Sequence, residues 1–143
     1  MGLFVLLRAV PDASGAWTVA RLSEEPDVDA IAKRLADQHS AALVCFVFDS
    51  DVAYAVAAGA DGTGARLVFN EPSAIDYGMD FLPLGRAADA ARDLAAWARA
   101  HAPSAIDPED ARRILDAEHV FAEEGVAEIF ELLGFPWSDD PLL

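Results

Sequence analysis

Short apolar runs alternate with turn residues through the first half of the chain. Five runs have the length and composition of strands, namely residues 2–10, 17–22, 41–48, 52–58 and 65–70. Residues 41–48 are apolar at every position, which predicts a central strand covered on both faces. A turn is predicted at residues 11–16, which include Pro, Asp, Ser and Gly. Asp61-Gly62 favours a tight hairpin in which both central residues have positive φ.

Apolar residues recur with the period of a helix in the remaining segments. The predicted helices cover residues 27–39, 86–102, 107–118 and 121–133. Asp107-Pro108 is typical of a helix start, and Gly134 is typical of a helix end. Residues 71–85 contain two prolines and two glycines, which predict an irregular loop.

The predicted order of elements is ββαβββ followed by three helices. Consecutive strands with short connections favour an antiparallel or mixed sheet of about five strands with helices packed on it, an α+β fold. The length of 143 residues fits a single domain spanning residues 1–143. The pattern leaves the order of the strands in the sheet open.

Composition narrows the class of partner. The net charge is −15. Nucleic acid and anionic membranes are bound through Lys and Arg, so the charge excludes both as partners. A basic protein is the partner whose charge complements this chain. Cys45 is the single cysteine and lies in an apolar run, which predicts a buried thiol and a disulfide-free protein of the cytoplasm. We expect no signal peptide, because no basic leader precedes the apolar start of the chain. We also expect no membrane span, because no apolar run approaches about 20 residues.

The sharpest candidate for chemistry is Asp49-Ser50-Asp51, directly after the predicted central strand. It resembles the first motif of haloacid-dehalogenase-type phosphatases and the Asp-x-Asp motif of sugar-nucleotide transferases. The resemblance implies a Mg²⁺ site, with Asp49 as the nucleophile of the phosphatase reaction. Ala53 stands where the phosphatase motif has Thr or Val, and no later Lys with paired acids follows in a suitable context. We therefore predict no catalytic residue, no metal site and no cofactor, with a small metal-dependent hydrolase using Asp49 and Asp51 as an alternative.

Two features favour a surface that binds another protein. Residues 106–143 contain eleven acids against two arginines, so this last part of the chain carries more than half of the net charge. Three of these acids form a stripe opposite the apolar face of the last predicted helix, at Glu124, Glu128 and Glu131. The loop 71–85 places acids next to aromatic residues, at Asp76, Tyr77, Asp80 and Phe81. These seven residues are the predicted partner-binding residues, since aromatic anchors beside charges are typical of interfaces.

In size, charge and lack of a catalytic motif the chain resembles the small acidic immunity proteins that bacteria make against their own secreted toxins. The resemblance implies a non-catalytic inhibitor that occludes the basic active site of a cognate toxin domain. An adaptor protein with another partner remains an alternative, and the oligomeric state stays open.

Overall fold

The structure, a computed structural model, describes residues 4–136 as one antiparallel sheet with helices on both faces. The strands are β1 (Phe4–Pro11), β2 (Trp17–Arg21), β3 (Ala41–Phe48), β4 (Val52–Gly59) and β5 (Gly64–Phe69). The helices are α1 (Val28–His39), α2 (Glu71–Asp76), α3 (Ala87–His101), α4 (Pro108–Asp116) and α5 (Ala122–Leu133). The predicted α+β class is confirmed, and every strand pairing is antiparallel. Residues 2 and 3 of the predicted first strand lie outside the described residues.

The strand order is β2-β1-β3-β4-β5, with β3 at the centre as predicted. β2 and β3 flank β1 on opposite sides, because α1 carries the chain across the sheet between them. The strands after α1 then pair in sequence order. Phe4, Phe48 and Phe69 lie at the end of the sheet where β3 turns into β4, and we call it the turn end.

Each face of the sheet buries its own core. On one face, α1 covers Leu6, Val44 and Tyr54, and on the other α3, α4 and α5 cover Leu7, Leu43 and Cys45. Neighbouring residues of a strand fall into different cores because successive side chains point to opposite faces of the sheet. Burial raises the pKa of the Cys45 thiol well above its usual range, so this cysteine stays in the unreactive protonated form.

The predicted loop 71–85 is wrong in its first part, because residues Glu71–Asp76 form the helix α2. Pro72 lies in the first turn of α2. The backbone N–H that proline lacks would have no partner within the helix at this position, and the φ of proline is already helical. The proline that predicted irregular backbone therefore helps to start a helix. After α2 the chain crosses the face that carries α1, and Met79 and Leu82 pack into that core. Across residues 4–136, no helix combines the length and apolar character needed to span a bilayer.

Candidate protein interface

The Asp-x-Asp sequence forms the hairpin turn between β3 and β4. Asp49 and Ser50 have positive φ angles of 52° and 61°, and the Asp51 N–H donates to the carbonyl of Phe48 over 3.0 Å. This sign pattern is that of a type I′ turn, which matches the twist of the two strands. The prediction for Asp61-Gly62 is wrong in this detail, because Gly62 has a φ of 91° but Asp61 has no positive φ.

Replacement of Ser50 by glycine is expected to stabilise the protein. Ser50 is held in the left-handed region, which disfavours a residue with a Cβ, and glycine adopts it freely. We expect Ser50→Gly to raise the free energy of unfolding by roughly 0.5–1 kcal/mol, measured by urea denaturation. Ser23→Gly, in the exposed segment after β2, is the control and should give no gain. A Ser50→Gly protein less stable than the parent would show that this turn is not strained.

The Asp51 carboxylate of this turn holds an aromatic side chain. The Tyr77 hydroxyl donates to Asp51 Oδ2 over 2.5 Å, and this bond raises the pKa of Tyr77. The same tyrosine packs edge-on against Phe48, with ring centroids 5.6 Å apart. Within residues 4–136, no group of three or more His, Cys, Asp or Glu side chains is placed to hold a metal ion. Asp51 thus positions an aromatic ring at the turn end of the sheet.

A row of aromatic rings crosses the turn end on the face that carries α1. Phe4 lies 5.6 Å from Phe46, Phe46 lies 6.3 Å from Phe48, and Tyr77 continues the row. Phe46 and Phe48 are only partly buried, so the prediction that 41–48 is covered on both faces is wrong at this end of the strand. Ala42 and Val44 are buried in the core under α1, whereas Phe46 only packs against the edge of that core.

Acidic residues are chain neighbours of these rings. Asp49 follows Phe48, Asp76 precedes Tyr77 and Asp80 precedes Phe81, and all three acids are exposed. Phe81 has 79 % of its surface accessible and lines a cavity together with Phe46. We call this surface the acid–aromatic face, and it consists of Phe4, Phe46, Phe48, Tyr77, Phe81, Asp49, Asp51, Asp76 and Asp80. Four of its residues are those predicted from the loop 71–85. Phe4, Phe46 and Phe48 were missed, because a fully apolar strand gives no sign of where a helix leaves it uncovered.

The predicted acidic stripe lies on the other side of the sheet. Glu124, Glu128 and Glu131 are exposed on α5, whose apolar side packs into the core opposite α1. The first residue of α5 is tied to the turn, since the Ala122 N–H donates to the carbonyl of Ser50 over 2.7 Å. Glu131 lies roughly 10 Å further along the helix axis than Glu124. The structure therefore brings only the start of the stripe near the acid–aromatic face.

Glu124 also has a local structural role. Its carboxylate accepts a hydrogen bond of 2.8 Å from the Phe121 N–H, which is half of a capping box at the start of α5. Glu128 Oε2 lies 4.0 Å from His119 Nδ1. Reversal of the charge at Glu124 would therefore change helix capping together with surface charge, whereas changes at Glu128 and Glu131 leave the cap intact.

Asn70 joins the elements that meet at the turn end. Its amide nitrogen donates to the carbonyls of Asp51 and His119, each over 3.1 Å, and its amide oxygen accepts from the His119 N–H over 2.9 Å. The residue is buried and has a left-handed φ of 57°. Asn70 therefore fixes the β3–β4 turn to the segment between α4 and α5. Nothing in the sequence pattern singles out this asparagine.

Comparisons with protein-family models, with curated proteins and with solved structures found no match to this chain.

Proposed function

We propose that this protein is a non-catalytic, acidic binding protein that holds a basic protein on its acid–aromatic face. The observation that carries the proposal is the row of partly exposed rings at one end of the sheet, with the Asp51 carboxylate bonded to Tyr77 and the exposed Asp49 in the same turn. Exposed aromatic residues that lie together mark interaction sites more often than scattered ones do. The surrounding charge selects a cationic partner, because like charges across an interface are repelled.

We further propose that the partner is a toxin domain and that the protein acts as its immunity protein. A net charge of −15 complements the basic cleft with which a nuclease or a related enzyme holds its substrate. The rings would supply affinity as hot spots, whereas the carboxylates would accelerate the encounter. An adaptor would bind its basic partner equally well but would leave the activity of that partner intact.

The test uses the product of the gene adjacent to the one for this chain, immobilised for surface plasmon resonance; an adjacent product that is not basic and does not bind would contradict the proposal. We expect Tyr77→Ala and Phe81→Ala each to weaken binding by about 2 kcal/mol, close to thirty-fold, mainly through faster dissociation. Glu128→Gln together with Glu131→Gln should instead slow association and reduce its dependence on salt. Inhibition of the enzymatic activity of the partner, measured in the same samples, separates an immunity protein from an adaptor.

Matched controls keep the interpretation of these kinetics clear. Asp37→Asn removes one charge from the exposed side of α1, next to Lys33, and should leave both rates unchanged. Glu124→Gln keeps an acceptor for the Phe121 N–H and removes only the charge. Equal rates for the parent and for both aromatic variants, in a complex that still forms, would place the interface outside the acid–aromatic face.

A further inference from the structure

A cavity of about 320 Å³ opens on the face of the sheet that carries α1. It lies between the start of α1, the strands β3 and β4, and the segment 79–82. Four of its lining residues are buried in the core under α1, namely Val28, Val52, Tyr54 and Leu82. Close packing holds these walls in place, so the cavity is formed before any ligand enters. Its volume lies at the lower end of the range for small-molecule sites.

Two rings of the sheet line this cavity side by side. Phe46 of β3 and Tyr54 of β4 are cross-strand partners, and both line it. Side chains directly opposite each other on antiparallel strands are neighbours on the same face. The thioether of Met79 is part of the same lining, and sulfur atoms pack favourably against aromatic rings. The lining therefore favours a planar aromatic ligand.

The polar side chains of the cavity are already bonded within the protein. Asp29 accepts from Arg66 Nε and from the Tyr54 hydroxyl, each over 3.1 Å. Asp27 accepts the Ala30 N–H as the N-cap of α1. Burial and the neighbouring Asp29 carboxylate raise the pKa of Tyr54, so its hydroxyl stays neutral. A charged ligand would lose water on entering and would gain no buried counter-charge, which favours an uncharged ligand.

Phe81 lines the cavity but leaves most of its ring in water. Its neighbours Met79 and Leu82 pack into the core under α1 and fix the segment in place, whereas the Phe81 side chain is 79 % exposed. Rotation about the side-chain bonds of Phe81 could lay this ring against a molecule in the cavity. Such a movement would remove apolar surface of both the ring and the ligand from water, which is favourable.

We propose that this cavity binds a small, uncharged aromatic molecule and that Phe81 covers the molecule when it is bound. The rings and the thioether select a planar apolar ligand, and the internally bonded polar groups select against charge. The inference goes beyond the proposed function and does not depend on it, because it assigns a small-molecule site to the chain alone. A ligand there would contact Phe46 and Phe81, so it would also change the acid–aromatic face.

NMR titration of the isotope-labelled full chain tests this site. The probes are indole, which is uncharged, indole-3-acetate, which carries a carboxylate, and tryptamine, which carries an ammonium group. We expect indole to cause saturable shifts at the amides of Met79, Phe81 and Leu82, and indole-3-acetate to bind about ten-fold or more weakly. Tryptamine should bind within about three-fold of indole at high salt, where exposed charges are screened. The absence of saturable shifts with indole would overturn the site. Binding of indole-3-acetate equal to that of indole, or of tryptamine tighter than about three-fold, would overturn the choice of an uncharged ligand.

Variants locate the bound indole. Met79→Trp should fill the cavity and Phe81→Ala should remove its cover, so we expect each to weaken indole binding about ten-fold. Because the Phe81 ring is exposed, Phe81→Ala keeps the fold and tests the proposal even if Met79→Trp does not fold. Ile75→Ala removes an exposed apolar side chain outside the cavity and is the matched control, which should bind like the parent. Indole binding unchanged in Phe81→Ala, or reduced as much in Ile75→Ala, would refute the assignment.

Discussion

Trp97→Ala is expected to lower the free energy of unfolding by about 3–5 kcal/mol, which is a large part of the stability of a domain of this size. The indole is fully buried in α3 and packs against Trp17 and Phe135, with ring centroids 5.7 and 6.4 Å away. Its N–H donates to the carbonyl of Ala58 at the end of β4 over 3.0 Å. Truncation would leave a cavity at the junction of α3, β2 and the residues after α5 and remove the bond to β4.

Urea denaturation followed by far-ultraviolet circular dichroism measures this loss. Trp97→Phe keeps most of the ring volume and loses the hydrogen bond, so we expect a smaller loss of about 1–3 kcal/mol. Phe81→Ala is the contrasting control: because that ring is 79 % exposed, its truncation should change stability by no more than about 0.5 kcal/mol. A loss below about 1 kcal/mol for Trp97→Ala would contradict the packing of α3 on the sheet.

Asn70→Ala is expected to destabilise the protein by about 2–4 kcal/mol, because three hydrogen-bonding groups of the backbone lose their partner together. These are the carbonyls of Asp51 and His119 and the N–H of His119. The side chain is 4 % exposed, so water replaces the lost bonds only after local movement. Alanine in the left-handed region adds to the loss, since its Cβ is disfavoured there.

Asn70→Gly separates the two contributions. Glycine keeps the left-handed backbone without strain and loses only the side-chain bonds, so it should be less destabilising than alanine by roughly 1 kcal/mol. Hydrogen exchange adds a local measurement, because the His119 N–H donates to Asn70 and should lose protection in both variants. Protection at His119 equal to that of the parent would show that this contact does not hold the segment.

Variants of Asn70 and Trp97 are expected to differ in their effect on partner binding. Loss of Asn70 should also weaken partner binding, because Asp51 and the Tyr77 ring that it positions belong to the acid–aromatic face. Loss of Trp97 should leave the intrinsic affinity of the folded fraction unchanged, since that ring packs at the other end of the sheet, beside Trp17 and Ala58. Binding measured at concentrations corrected for the folded fraction distinguishes the two cases.

The sequence by itself determined the elements and much of their chemistry. Strand and helix periodicity identified β1 to β5 and four of the five helices within a few residues. The reason is that the spacing of apolar residues follows the period of the element whose face is buried. It also placed Tyr77 and Phe81 in an exposed segment and Cys45 in the core. The sequence was ambiguous at Pro72, because proline disrupts the interior of a helix but favours its first turn. The loop was therefore predicted where the structure has α2.

Tertiary structure alone decided what lies together at the turn end of the sheet. The pairing of β1 with β3 puts Phe4 beside Phe48, and neither ring is fully buried by the packing of the helices. Asn70 meets His119 across 49 residues of chain, and no period along the sequence records such a contact. The sequence predicts that the acidic stripe of α5 and the loop after α2 are both exposed. In the structure the sheet lies between them and separates most of the stripe from the aromatic row. Residue pattern specifies which side of an element is buried, whereas the packing of elements specifies which exposed sides become neighbours.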